Sequence, residues 1–120
     1  NESEIFELTE SADVEVAVNK ALSMGPEKII VKFGSKGARY FSRNEDIPIG
    51  VFPVSKAIDP TGAGDVFGGG FVSGLADGLS VYDSMKRGTA LASFCIEDFG
   101  VTRLLSIESD ELEERINSIN

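Results

Sequence analysis

The sequence predicts an α/β fold in which helices flank a central sheet, and three observations carry that prediction. Two short runs rich in β-branched and aromatic residues, Lys28 to Phe33 and Ala38 to Ser42, have the length and composition of strands. Three longer segments, 13 to 24, 64 to 77 and 81 to 99, space their apolar residues as a helix does. Where the strand-like segment Val51 to Ile58 gives way to helical spacing stands a glycine-rich run, Asp59-Pro-Thr-Gly-Ala-Gly-Asp65.

Taken in order, Asn1 followed three residues later by Glu4, ahead of Ile5 and Leu8, has the form of a capping box opening a short helix. With no initiator Met, the chain reads as the middle of a longer protein. Val14, Ala17, Val18, Ala21 and Leu22 form one stripe, a helix covering a sheet, and Gly25-Pro26 stops it. Lys28 to Phe33 reads as a buried strand. Gly34-Ser-Lys-Gly37 then joins it to Ala38 to Ser42 as a hairpin turn. The same glycines would also bring backbone amides close to a ligand, and the residues alone leave both readings open. Arg43 to Asp46 is a polar turn. Residues 47 to 54 supply one or two short strands that Pro48 and Pro53 confine to edge or irregular pairing.

The helix 64 to 77 contains Gly68, Gly69 and Gly70 in succession, each costing roughly 0.5–1 kcal/mol against alanine. Something must need the missing side chains, either close packing against a neighbour or room for a ligand. Asp77-Gly78 ends this helix and Ser80 or a neighbour caps the next, in which Val81, Met85, Gly88, Ala92, Cys95 and Phe99 recur at helical spacing until Glu97 to Gly100 closes it. Gly88, Thr89, Ala92 and Ser93 give that helix a small-sided face, suited to tight helix packing or to a flat purine ring. A terminal amphipathic helix within 106 to 120 carries Ile107, Leu112, Ile116 and Ile119, with Ser109 as cap and Asp110 and Glu111 in its first turn.

Composition narrows the function classes. A formal net charge of −9 argues against nucleic acid as a partner. The charge is uneven: acidic residues crowd the first 15 and last 13 positions, whereas in the segment Glu27 to Arg43 the cations Lys28, Lys32, Lys36, Arg39 and Arg43 stand against Glu27 alone. A phosphate-bearing ligand suits that segment, although solvent-facing strand residues explain any one of these cations equally well. The absence of histidine removes His-based triads and the commonest zinc ligand. A single cysteine, Cys95, permits no intramolecular disulfide, and a cytoplasmic location is the default. There is no apolar run of membrane-spanning length, no signal-peptide pattern and no Gly-x-x-x-x-Gly-Lys loop.

The chemistry concentrates at residues 59 to 65. The first turn of a helix leaves backbone N–H groups without partners, and Gly62 and Gly64 let those groups meet a ligand with no Cβ in the way. That makes an anion site. Asp65 adds a carboxylate that can take a proton from a hydroxyl attacking a phosphate. A plain strand-to-helix turn with an acidic residue favoured by the macrodipole remains the alternative.

The full run, together with the small residues Gly68 to Gly70, resembles the signature of the ribokinase-like (PfkB-type) carbohydrate kinases. The resemblance implies the C-terminal portion of a three-layer α/β sandwich, residues 1–120 carrying the nucleotide-binding and catalytic part and lacking the N-terminal substrate-binding part. It implies an anion hole formed by the amides of Gly62, Ala63, Gly64 and Asp65, with Asp65 also as catalytic base. Pro60 stands where many members have Thr or Ser. It further implies that Asn1 and Glu4, matching the family's Asn-x-x-Glu, hold Mg²⁺ through water. Gly34, Ser35, Lys36 and Gly37 would touch the nucleotide, with Lys32 where other members often have Thr; Gly88 and Ala92 would border adenine. Asp59 and Thr61 would help bind a monovalent cation such as K⁺.

The activity so implied is transfer of the γ-phosphoryl of ATP to a hydroxyl of a sugar or nucleoside, the isolated piece being inactive and exposed sheet edges making a homodimer a candidate assembly. A non-catalytic nucleotide-binding module and a vitamin-precursor kinase of the same superfamily are the alternatives. Retention of Asp65, Asn1 and Glu4 speaks against the first, and Thr61-Gly-Ala-Gly-Asp65, in place of a shorter Gly-Thr-Gly-Asp run, speaks against the second.

Overall fold

The computed structural model describes residues 1–120, which divide into two compact units, Asn1–Pro48 and Ile49–Asn120. The first unit contains α1 (Glu2–Thr9), α2 (Val14–Ser23), β1 (Lys28–Lys32), β2 (Ala38–Ser42) and β3 (Asp46–Ile49), whose last residue begins the second unit. The strands form one sheet in the order β1-β2-β3, with β1 and β2 antiparallel in the register Lys28 to Ser42 and Lys32 to Ala38. A 3₁₀ turn at Gly34–Lys36 makes the hairpin connection, and the Phe33 N–H donates to the Gly37 carbonyl at 2.8 Å to close it.

Strand alternation explains the core of this unit. Val31 is buried among Ile5, Ala17, Val18, Ala21 and Phe41, and Ile29 and Phe33, two residues to either side, pack against the same cluster. The expectation of a buried strand is therefore corrected: β1 lies at a sheet edge and commits one face to the core, so only Val31 in Lys28–Lys32 is buried. β3 carries Pro48 at the opposite edge, as a residue with no ladder donor requires. The helix ends are satisfied locally. The Asp13 carboxylate accepts the Val16 N–H at 2.9 Å at the start of α2, and the Lys20 ammonium donates to the Thr9 carbonyl at 3.0 Å at the end of α1.

The second unit contains α3 (Ala63–Ala76), α4 (Val81–Cys95) and α5 (Ser109–Ser118), with a 3₁₀ turn at Leu104–Ser106. Residues 51 to 58, expected to be strand-like, are irregular. A strand needs a ladder, and this segment contains Pro53 and is tied down instead by single bonds, such as the Ile58 N–H to the Ile96 carbonyl at 2.7 Å. Helix α4 ends at Cys95, short of Phe99, which lies beyond it and is 67% exposed. Helix α5 has Glu108 rather than Ser109 at its N-cap position, with no side-chain cap bond.

Helices α3 and α4 meet through glycines. A Cβ on Gly88 would lie 2.6 Å from the Phe67 carbonyl oxygen, one on Gly70 2.8 Å from the Gly88 Cα, and one on Gly74 2.8 Å from the Ser84 hydroxyl. The two backbones touch where side chains are missing. Against α4, α5 is held by charge: Arg115 pairs with Glu97 at 2.8 Å, donates to the Ser93 hydroxyl at 3.0 Å and stacks on the Phe94 ring at 3.4 Å, while Arg103 bridges Glu97 and Glu111.

Candidate functional site

In the second unit the glycine run forms a tight turn followed directly by α3. Gly62 is the N-cap with φ +80°, a left-handed conformation that a residue with a Cβ adopts only under strain. Nothing lies within 4 Å of where its Cβ would be, so the approach to the helix N-terminus is open. The amides of Gly62, Gly64 and Asp65 have no carbonyl of the chain closing onto them. Ala63 differs: its N–H donates to the Pro60 carbonyl at 3.2 Å, closing the turn. The donors of Gly62, Gly64 and Asp65 are thus open, while Ala63 spends its donor on making the turn. The Asp65 side chain is exposed in the first turn of α3 and makes neither ion pair nor hydrogen bond with the chain, so its carboxylate is available.

Asp59 stands just before the turn and organises it. Its Oδ1 accepts the Thr61 N–H at 2.9 Å, and bonds from the Thr61 hydroxyl and N–H, with a smaller one from the Gly100 backbone, hold its carboxyl below the usual range. The Ile96 carbonyl at the end of α4 accepts from Ile58 and, at 3.4 Å, from Asp59. The Cys95 sulfur lies 3.7 Å from both the Thr61 and the Gly100 carbonyl oxygens; burial first, and the Asp59 charge second, push its thiol up. Gly100 and Cys95 are the members of this oxygen-rich cluster that sequence reasoning left unassigned. The signal available for Gly100 was its place after Asp98-Phe99 at a helix end, where its φ of +58° turns the chain.

The three consecutive glycines of α3 divide between the two readings open for them. Gly70 is consumed by the α4 crossing, whereas a Cβ on Gly68 or Gly69 would meet nothing within 4 Å. On α4, Gly88 is buried and the Phe67 and Phe71 backbones occupy the space its missing side chain leaves. Ala92 is half-buried and retains surface.

In the first unit, Asn1 and Glu4 form a full capping box. The Asn1 Oδ1 accepts the Glu4 N–H at 2.9 Å and the Glu4 carboxylate accepts from the Asn1 main-chain nitrogen at 2.5 Å. Both side chains are exposed. The concave surface beside them, about 320 Å³, is lined by Ile5, Leu8, Met24 and Ile30 among others and suits an apolar group better than a phosphate. At the far end of β1, Gly34, Ser35 and Lys36 are exposed and Gly37 is buried. No helix is long and apolar enough to cross a membrane.

An α/β chain with a glycine turn and a free aspartate at a helix N-terminus matches a known family model. Residues 1–108 match the pfkB family of carbohydrate kinases, and the chain belongs to that family. An uncharacterized sugar kinase of Archaeoglobus fulgidus is 38% identical over 101 residues, covering 83% of this chain and 39% of that protein. Among solved structures, Arabidopsis thaliana ribokinase complexed with ribose and ATP superposes with a TM-score of 0.85 at 29% identity, over 97% of this chain and 39% of that one. An Escherichia coli structure in complex with ATP and Mg²⁺ gives a TM-score of 0.83 at 30% identity, over 96% and 37%. The fold is that of the ribokinases. The chain spans about two fifths of the length of these relatives.

Proposed function

We propose that this chain is the C-terminal, nucleotide-binding and catalytic portion of a kinase that moves the γ-phosphoryl of ATP to a hydroxyl of a sugar or nucleoside. The observation that carries the reading is the pairing, at the start of α3, of three amides without carbonyl partners with an uncommitted Asp65 carboxylate. In this reading Asp65 takes the proton of the acceptor hydroxyl as it attacks. The amides of Gly62, Gly64 and Asp65 stabilise the charge on the transferring phosphoryl oxygens, assisted by the positive end of the 14-residue α3. The Gly34 to Gly37 turn lies against the nucleotide, and Ala92 offers the small surface for its base.

The family relatives solved with ATP support the donor. The donor set of Asn1 and Glu4, one amide oxygen and one carboxylate, fits a hard divalent cation, and both side chains are exposed. These two residues would hold Mg²⁺ through water, and when bound it neutralises charge on the nucleotide phosphates. The Asp59 carboxylate with the Thr61 and Gly100 carbonyls is likewise the oxygen-rich set that a monovalent cation would take. A free Asp65 favours catalysis over a binding-only module, since binding needs no base.

Replacing Asp65 by asparagine in the complete protein keeps the shape and removes the base. Turnover should fall about 10²–10⁴-fold with ATP affinity retained. Near-normal turnover would reject the assigned role.

A further inference from the structure

Glu97 stands where the local rules disfavour it. Helix α4 ends at Cys95 with Ile96 as its C-cap, and an acidic residue one position further on meets the negative end of the macrodipole. Two arginines offset that penalty. Arg115, on α5, pairs with Glu97 at 2.8 Å, and Arg103, in the loop between the helices, approaches it at 3.5 Å; none of the three side chains is more than 24% exposed. Both guanidiniums also lie over the Phe94 ring, at 3.4 Å for Arg115 and 4.9 Å for Arg103, and Arg103 is held in turn by Glu111 and Ser106. The carboxylate is therefore gripped from two elements.

Its backbone neighbour holds the glycine turn. The Ile96 carbonyl accepts the Ile58 N–H at 2.7 Å and the Asp59 N–H at 3.4 Å. A second attachment, the Cys95 sulfur 3.7 Å from the Thr61 carbonyl oxygen, starts one residue earlier. From Asp59 onward the turn is tied to itself, by the Thr61 N–H to the Asp59 carboxylate at 2.9 Å and the Ala63 N–H to the Pro60 carbonyl at 3.2 Å. The stretch leading into it, residues 51 to 58, is irregular and has no ladder to place it. Residues 58 to 61 thus hang on the end of α4, and the two arginines fix where that end lies.

We propose that Glu97 is a positioning residue for phosphoryl transfer: clamped by Arg103 and Arg115, it fixes the Ile96 carbonyl, and through it the placement of the turn that presents the open amides and the Asp65 carboxylate. The inference rests on the kinase reading of that turn. Glu97 acts through the main chain and need not touch either substrate. Loosening the turn without changing the groups it carries removes stabilisation made in the transition state, so turnover falls while ground-state binding is kept.

Steady-state kinetics of the complete protein test this, with ATP, Mg²⁺ and whichever sugar or nucleoside of a panel wild type turns over fastest, alongside hydrogen exchange of peptides covering residues 56 to 62. Glu97→Ala should lower kcat about ten- to a hundredfold, the scale of a displacement of about 1 Å, with KM for ATP within about twofold. Exchange of the Ile58 and Asp59 amides should quicken on the order of tenfold. Glu97→Gln, which leaves an oxygen for Arg115, should restore part of both. Arg87→Met, which removes the Arg87 to Asp77 pair from the same helix, should change neither. Thermal melting sets a temperature at which every variant is folded, and Glu97→Gln carries both measurements if Glu97→Ala fails to fold. Unchanged exchange in the Glu97 variant, or faster exchange with kcat unaltered, would overturn the proposal. So would an equal loss of kcat in Arg87→Met, which would mean general destabilisation. If wild type phosphorylates no acceptor, the kinase reading fails and takes this role with it, an outcome distinct from an active wild type whose turnover ignores Glu97.

Discussion

Gly88→Ala is the sharpest probe of how α3 is held. The added methyl would sit 2.6 Å from the Phe67 carbonyl oxygen, 3.2 Å from Phe67 Cδ2 and 3.3 Å from the Phe71 nitrogen. Comfortable contact begins near about 3.5 Å, so the helices must part by roughly 0.9 Å along the shortest line. The obstacle is backbone, which cannot swing aside. Overpacking of this kind costs about 1–3 kcal/mol, while alanine returns about 0.5–1 kcal/mol of helix propensity. The net loss is about 0–2.5 kcal/mol, with a mid-range of about 1 kcal/mol, or several degrees of melting temperature at roughly 3–5 °C per kcal/mol for a chain of this size. Gly69→Ala, on the same helix pair, meets nothing within 4 Å and should return only the propensity gain. The same chemical change should therefore move stability in opposite directions at the two sites. Urea denaturation of both variants measures the difference. A Gly88→Ala protein as stable as wild type, or a Gly69→Ala protein equally destabilised, would refute the account of α3 and α4 meeting through missing side chains.

Two further outcomes follow from the second unit. Arg115→Ala removes the 2.8 Å pair with Glu97, the bond to Ser93 and stacking on Phe94 from a side chain 11% exposed; the loss should be about 2–4 kcal/mol in urea denaturation, and a change under about 0.5 kcal/mol would show the network to be idle. The Asp59 carboxyl is held below its unfolded value by Thr61 and Gly100, so its contribution to stability is present at neutral pH and is lost as pH falls below about 4 and through the folded value. Melting temperature followed from pH 6 downward should therefore fall less steeply in Asp59→Asn than in wild type, and parallel curves would contradict the assignment.

Local patterns were readable wherever a residue acts on its neighbours in sequence. The Asn1 and Glu4 box, the Ser80 cap, the Gly34 to Gly37 hairpin and the opening of α3 at Gly62 all depend on bonds spanning a few residues, and the structure has each of them. Val51 to Ile58 misled because alternating apolar residues look like a strand whether or not a partner strand exists. Phe99 misled because its spacing continues a helix that the chain leaves at Cys95. The site was legible in outline for the same reason as the caps: a left-handed glycine followed by a helix and an acidic residue is a local construction.

By itself, then, the sequence determined most of the elements, the glycine turn before α3, the acidic residue in its first turn and the family resemblance, since all of these are written in short-range spacing. Tertiary structure alone decided that Gly70 and Gly88 are spent on a helix crossing while Gly68 and Gly69 are not, and that Cys95, Ile96 and Gly100 gather around Asp59 and Thr61. Those outcomes depend on which backbone lies a few ångströms away across a fold, and no pattern along the chain encodes that distance. The Arg115, Glu97 and Phe94 cluster is of the same kind: residues 18 to 21 positions apart become partners only because α5 returns to α4.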